Sequence, residues 1–354
     1  MTDQLRQLRD KIDAIDSELL NLVNTRANLA KQIGQLKKSM IYRPDREAQI
    51  LERLQKLNSG PLTHQHVAQL FTEIMSLCRA MEKPLVVAYL GPQGTFSEEA
   101  VLNRFGSVVT TLPCESIDEV FHKVESGVAN NGVVPVENSN EGAVGKTLDL
   151  LLQTSLKVCG EIQLSIHQCL LALHADLKHI KKIYSHPQSL AQCHEWLNTN
   201  FPLPKVKRII SASNAHAAMM AAEDKSVAAI ASRKAAEVYK LSICAENIED
   251  DPKNTTRFLV IGTQDVAPSG EDKTSLVMSA KNIPGAVHEL LSPLAQHGVS
   301  MSRLESRPSR ASLWEYVFFV DIQGHQKNEK IAKALEEIRE KATFLKILGS
   351  YPSA

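Results

Sequence analysis

The chain has 354 residues, and 40 Lys and Arg balance 40 Asp and Glu, so its formal charge at pH 7 is zero. That balance argues against a general nucleic-acid binder, which shows a basic excess. An aromatic content of 5% argues against a base-stacking platform. At 43% hydrophobic and 23% charged the composition is that of a globular protein, and the length predicts about two or three domains.

The opening MTDQLRQLRDKIDAID is polar, and no apolar run in the chain is long enough to span a bilayer. The six cysteines are Cys78, Cys114, Cys159, Cys169, Cys193 and Cys244, with no C-x-x-C pair. They are expected to be reduced thiols in a cytoplasmic protein that touches neither membrane nor nucleic acid. Cys193-His194 reads as a buried helix thiol beside an exposed imidazole.

Residues 1–83 read as helix. Leu5, Leu8, Ile12, Ile15, Leu19, Leu22, Leu29, Ile33 and Leu36 recur at three-four spacing, and no Pro or Gly precedes Gly34. One helix of about 35 residues, about 50 Å long, is predicted. Pro44 opens a shorter helix with Ile50, Leu51, Leu54 and Leu57 on one side, and Leu62 to Glu82 resumes helical spacing. Two shorter helices cannot cover so long a seam, so a homodimer is expected. Arg26 interrupts the seam, and a guanidinium on an apolar stripe calls for an anion, either an internal carboxylate or a bound ligand. Lys37 lies about three turns on, on roughly the same face. Arg9 lies about 25 Å back along the axis, so it cannot grip the same small molecule as Arg26 of its own chain, whereas in an antiparallel dimer a second copy's Arg9 can.

Residues 84–263 switch to strand–helix alternation. Apolar runs end in Gly91-Pro92-Gln93-Gly94-Thr95-Phe96-Ser97, in Glu137-Asn138-Ser139, in Ser185-His186-Pro187-Gln188 and in Ser211-Ala212-Ser213-Asn214. That is α/β architecture with helix starts offering N–H groups at strand ends. Residues 264–272 read as a linker. Residues 273–354 read βαββαβ, an α+β ferredoxin-like unit, with strands at Ser275–Met278, Val299–Glu305, Leu313–Ile322 and Phe344–Leu348.

Three family resemblances attach to these segments. Leu8-Arg9-Asp10-Lys11-Ile12, Arg26, Lys37 and Arg43-Pro44-Asp45-Arg46-Glu47 resemble the all-helical chorismate mutases. That resemblance implies an unassisted rearrangement of chorismate to prephenate, promoted by holding a compact conformer and stabilising charge on the ether oxygen. It implies that Arg26 and the partner subunit's Arg9 pair with the carboxylates. Lys37 would reach the ether oxygen, Glu47 would take the ring hydroxyl and Arg46 would support the site. Cys78 and Glu82 stand where family members carry Ser and Gln. Glu82 can donate a hydrogen bond there only when protonated. Arg43 replaces an Asp, so no role is carried to it.

The GPQGTFS, VPVENS and YSHPQ segments, followed by Asn254-Thr255-Thr256-Arg257-Phe258, resemble prephenate dehydratases. The fold implied is two-lobed, similar to periplasmic solute-binding proteins, with the site in the cleft. The chemistry implied is loss of carbon dioxide and the ring hydroxyl to give phenylpyruvate, with no metal or other cofactor. Thr256 would be the essential hydroxyl and Arg257 an anion partner, with Thr95, Ser97, Asn138, Ser139, Ser213 and Thr255 as further prephenate-binding groups. His186 fits a structural turn better than a base.

Gly285-Ala286-Val287-His288 and Glu305-Ser306-Arg307-Pro308 resemble the ACT-type amino-acid-binding modules attached to those dehydratases. Phenylalanine is the implied effector, bound between two modules and inhibiting the dehydratase, with a higher oligomer accessible to the effector-bound form. His288 stands where Val is common. Together these features resemble the bifunctional chorismate mutase–prephenate dehydratase family of phenylalanine biosynthesis. An amino-acid-binding regulator with enzyme remnants and a solute-binding transport component are the rival classes. Intact Arg9, Arg26, Lys37, Glu47 and Thr256 argue against the first, and the fused helical segment against the second.

Overall fold

A computed structural model describes residues 2–36, 42–281, 283–308 and 316–354. Lys37, and the expected strand start at Leu313, lie outside the described residues. The chain forms two compact units, residues 1–85 with 102–110, and residues 86–101 with 111–354.

In the first unit α1 (Thr2–Leu36), α2 (Pro44–Leu57) and α3 (His64–Glu82) follow the apolar periodicity. α1 spans about 52 Å at 1.5 Å per residue. Pro44 sits in the first turn of α2, where its missing N–H costs nothing, and Asp45 and Glu47 complement the helix start. The Thr63 hydroxyl caps α3 by accepting from the His66 N–H at 3.2 Å. α1 and α2 both pack on α3, but Leu5, Leu8, Ile12, Ile15, Leu19 and Leu22 each remain about half exposed.

The second unit begins β1 (Val86–Leu90), α4 (Phe96–Phe105), β2 (Thr110–Cys114), α5 (Ile117–Glu125), β3 (Asn131–Asn138), β4 (Gly142–Ala143), α6 (Gly145–Gln153) and β5 (Lys157–Ser165), with the end of α4 belonging to the first unit. It continues β6 (Cys169–Ala172), β7 (Lys182–Ser185), α7 (Pro187–Gln192), α8 (His194–Asn200), β8 (Lys207–Ile210), α9 (Asn214–Glu223), β9 (Val227–Ala231), α10 (Arg233–Tyr239), β10 (Ser242–Ala245) and β11 (Thr255–Gly262). The last part is β12 (Asp272–Ser279), α11 (Ala286–Gln296), β13 (Met301–Pro308), β14 (Tyr316–Gln323), α12 (Glu329–Lys341) and β15 (Phe344–Pro352).

Three sheets result. The first lobe has the order β2-β1-β3-β11-β5 with β4 beside β3, and the second lobe β10-β6-β9-β7-β8. The chain crosses between the lobes twice, at residues 166–168 and 246–254. The two crossings are bonded to each other, Ile166 N–H to the Asn254 carbonyl at 2.8 Å and Ile248 N–H to the Gln168 carbonyl at 3.0 Å. The C-terminal sheet, β13-β14-β12-β15, is antiparallel throughout, the order a βαββαβ chain gives.

The central strands of that last sheet are buried on both faces. Leu276, Met278 and Val320 pack with Leu290, Leu294, Ile331 and Ile338 of α11 and α12. Val277, Phe319, Leu348 and Tyr351 share a core with Leu148, Leu151 and Val158 of the first lobe. β15 also approaches β5 so closely that a Cβ on Gly349 would fall 2.1 Å from the Val158 carbonyl oxygen. The segment read as a linker is pinned. Val266 is buried, and its carbonyl accepts from His325 Nε2 at 3.0 Å while His325 Nδ1 accepts from the Lys327 N–H.

All six cysteines are free. Cys193 is buried within the second lobe, where desolvation pushes its thiol well up, so it is no nucleophile. Among the described residues no helix is long and apolar enough to cross a membrane.

Candidate active sites

In the first unit a pocket of about 380 Å³ lies along α1, α2 and α3. Leu29, Ile33 and Met75 give it apolar walls, and Arg26, Arg43, Arg46, Arg53 and Arg79 surround these with Glu47, Cys78 and Glu82. Two of the cations are internally paired. Arg43 forks onto Asp45 at 3.0 and 2.6 Å, and Arg79 pairs with Glu47. Arg26, Arg46 and Arg53 form no direct ion pair among the described residues, Arg26 acting on Glu47 only at longer range, which leaves the pocket suited to an anion.

Arg79 was not singled out in the sequence, yet it organises this wall. It is buried, donates to the Phe105 carbonyl at 2.6 Å, and lies 5.6 and 5.9 Å from the Tyr42 and Phe105 ring centres. Burial pushes the Glu47 carboxyl up, against the pull of Arg79 and Arg104. Burial likewise pushes Tyr42 to about 12, so its hydroxyl stays neutral and accepts from Arg104 Nε at 2.8 Å. Arg9 is exposed and does not line this pocket.

The second pocket, of about 250 Å³, lies between the two lobes. Thr256 and Asn138, cross-strand partners on β11 and β3, form its floor. Thr95 and Ser97 reach it from the start of α4, and Ser213 from the start of α9. Thr95 already spends its proton on the Leu90 carbonyl at 3.1 Å, whereas Ser213 caps α9 by accepting from His216 N–H at 3.0 Å and keeps its own proton. His186 Nδ1 accepts from Gln188 N–H at 3.3 Å, a turn role that leaves no base at that nitrogen.

Thr256 also keeps its proton, and its oxygen is oriented by a side chain across the strand pair. Asn138 Nδ2 donates to Thr256 Oγ1 at 2.8 Å and to Asn254 Oδ1 at 2.9 Å. The Asn138 carbonyl oxygen accepts from the N–H groups of Asn140 and Glu141 at 3.1 and 3.2 Å, which fixes the amide orientation. Thr256 therefore receives a hydrogen bond, and its own proton has no protein acceptor among the described residues. The hydroxyl is a donor available to the pocket.

Three expectations are corrected. Arg257 does not line the cleft, because strand alternation turns it to the opposite face, where it pairs with Glu161 at 2.7 Å and Asp321 at 2.5 Å. Thr255 donates to the Lys253 carbonyl at 3.2 Å, and Ser139 donates to Asn140 Oδ1 at 2.9 Å while accepting from Thr255 N–H, so neither lines the cleft. None of the described residues lining it is Lys or Arg. Anion binding there falls to amides and helix-start N–H groups.

The sequence reading also missed Gln168, Gln192 and Asn254. Gln168 Oε1, Gln192 Nε2 and Asn254 Nδ2 are buried without a protein partner, and all three residues line the cleft. A ligand that met these atoms would remove a desolvation penalty of about 1–3 kcal/mol each.

In the C-terminal module Gly285 takes φ +84° at the start of α11, a conformation only glycine adopts freely. Ala286 is half-buried, and Gly285, Val287 and His288 are exposed. On β13 Ser306 and Pro308 are exposed while Glu305 and Arg307 are half-buried. Arg307 Nη2 donates to Asp149 of α6 at 3.1 Å.

Two substrate-sized pockets of different chemistry in one polypeptide place the chain in the class of multifunctional enzymes. Its residues 8–83 match the profile of chorismate mutase type II, residues 87–266 that of prephenate dehydratase and residues 274–340 that of the ACT domain. It is 52% identical over 350 residues to a bifunctional chorismate mutase/prephenate dehydratase of Neisseria gonorrhoeae, covering 98% of this chain and 96% of that one. Among solved structures, a prephenate dehydratase from Arthrobacter aurescens in complex with L-Phe is 34% identical with a TM-score of 0.69, covering 76% of this chain and 90% of that one. A protein described as a novel type of quorum-quenching acylase is 31% identical with a TM-score of 0.70, covering 76% and 98%. The chain belongs to the bifunctional chorismate mutase/prephenate dehydratases, and carries both catalytic domains and an ACT domain.

Proposed function

We propose that the helical pocket rearranges chorismate to prephenate and that the cleft converts prephenate to phenylpyruvate, in the cytoplasm, under feedback by phenylalanine. The observation that carries this reading is the Thr256 hydroxyl, oriented by Asn138 and free to donate. Thr256 would hydrogen-bond the departing ring hydroxyl. The electron pair of the breaking carbon–carboxylate bond enters the ring, carbon dioxide leaves, and the hydroxyl takes up one proton from solvent and departs as water. Aromatisation drives the step, and the amides and helix starts of the cleft hold the two carboxylates.

In the mutase pocket Arg26 would meet a carboxylate, Arg46 would support it, and Glu47 would orient the ring hydroxyl from its Arg79 pair. Lys37 keeps its expected role at the ether oxygen, with Cys78 and Glu82 completing the wall. The exposed seam of α1 supports a homodimer in which a second copy covers those leucines and the partner subunit's Arg9 closes the pocket. The exposed Gly285 start of α11 supports a phenylalanine site completed by a second module, with Glu305, Ser306 and Pro308 of β13 as its further expected members.

One assay tests the whole reading. The purified chain should consume chorismate, accumulate prephenate and then phenylpyruvate, and slow at the second step when phenylalanine is added. Failure to consume chorismate would refute it. A finer test concerns Asn138. In Asn138→Asp one carboxylate oxygen still accepts from Asn140 and Glu141, but the other faces Thr256 and takes its proton. Dehydratase kcat should fall by about 10²-fold or more with mutase turnover intact. Near-normal phenylpyruvate formation would show that the Thr256 proton direction is immaterial.

A further inference from the structure

The register of β3 and β11 pairs Asn138 with Thr256 and, one step along, Glu137 with Arg257. Successive strand residues face opposite sides. Asn138 and Thr256 share the cleft face, while Glu137 and Arg257 share the face that meets the ACT module. There Arg257 Nη1 pairs with Asp321 Oδ2 at 2.5 Å, and Nη2 donates to the Tyr351 hydroxyl at 3.1 Å. Arg303 Nε lies 2.9 Å from Glu137 Oε2. Each member of the catalytic pair thus has a sequence neighbour gripped by the module.

The grip on Glu137 comes from the strand that bears the effector motif, while Asp321 of β14 and Tyr351 of β15 hold Arg257. Arg303 stands on β13 two residues before Glu305, and Arg307, on the same face of that strand, holds Asp149. Two properties make this joint responsive. The Arg257 node is almost dry, with Glu161 fully buried between Arg257 and Lys273, so displacing a member costs far more than at a surface. The β13 contacts, by contrast, are incompletely made. Arg303 Nε and Nη2 and Arg307 Nε are buried with no aligned hydrogen-bond acceptor. A small shift of β13 would complete or release them, against a node that stays fixed.

We propose that effector binding reaches Asn138 and Thr256 through the Arg303–Glu137 ion pair, with the Asp321–Arg257 pair as the fixed support against which β13 moves. The proposal rests on the reading of the ACT module as a phenylalanine sensor. An effector shifts a conformation only through contacts that differ between the two states, and the β13 contacts are where that difference would lie.

The test uses full-length Arg303→Met, which keeps the apolar stem and leaves Glu137, already 39% exposed, to solvent. Phenylalanine binding is read by calorimetry, phenylpyruvate formation with and without phenylalanine, and mutase turnover as a check on integrity. Expected are phenylalanine affinity within about threefold and uninhibited kcat within about twofold of wild type, with the inhibition factor reduced about tenfold. Glu137→Gln should uncouple similarly, and the double variant should add nothing, the signature of one shared contact. Wild-type protein that neither binds nor responds to phenylalanine would bring down the sensor reading and this proposal together. Wild-type protein that does respond, with equal inhibition in Arg303→Met or additive losses in the double variant, would overturn the proposal alone.

Discussion

Thr256→Val should abolish phenylpyruvate formation and leave chorismate consumption unchanged. The substitution is nearly isosteric, replacing one hydroxyl by a methyl at a half-buried strand position. Asn138 Nδ2 keeps its bond to Asn254 Oδ1, so the floor of the cleft survives. The folding cost should be about 1 kcal/mol, the net worth of one hydrogen bond. The catalytic cost should be far larger. Removing a preorganised donor aimed at developing charge lowers kcat by about 10²–10³-fold, and here no Lys or Arg among the described lining residues stands by to replace it. Steady-state assay of both activities on one preparation decides the matter. Retained dehydratase turnover would move the chemistry to another residue.

The second large effect concerns subunit sharing in the mutase. Arg26 lines the pocket and Arg9 does not, although both lie on the one straight helix α1. Arg9→Ala and Arg26→Ala should therefore each remove mutase activity when made alone, through loss of a carboxylate partner. Coexpressed, they should recover about a quarter of wild-type activity. Half of randomly mixed dimers are heterodimers, and one of the two pockets in each has both arginines intact. Dehydratase activity serves as the internal standard. A mixture no more active than its components would show that each pocket draws its cations from a single chain, and the α1 seam would need another explanation.

Much of this architecture is written in periodicity. The three-four spacing of α1 and the short apolar run of β12 gave their elements because apolar stretches of that length have few other ways to be buried. Site residues were legible where a motif carried them, as with Thr256, Asn138 and Arg26. The errors came from treating a motif as a patch. Thr256 and Arg257 are neighbours in sequence, yet a strand sends them to opposite faces, and applying period two would have separated them. Gln168 and Asn254 carry no spacing signature, since single amides are common in loops and only the fold brings them to one cavity. Arg79 was detectable in principle. It lies three residues before Glu82 and four after Met75, on the buried side of α3, where an unexplained guanidinium calls for a partner.

The paired crossings between the lobes have a mechanical meaning. Any rotation of one lobe against the other must pivot on residues 166–168 and 246–254, which are stitched together by the Ile166 and Ile248 hydrogen bonds. Gln168 and Asn254 sit on that axle, and their unpaired amide atoms belong to the cavity. The pivot is thus itself a gripping surface. Occupancy would stiffen the axle directly, because a molecule that met both amides would tie the two crossings together.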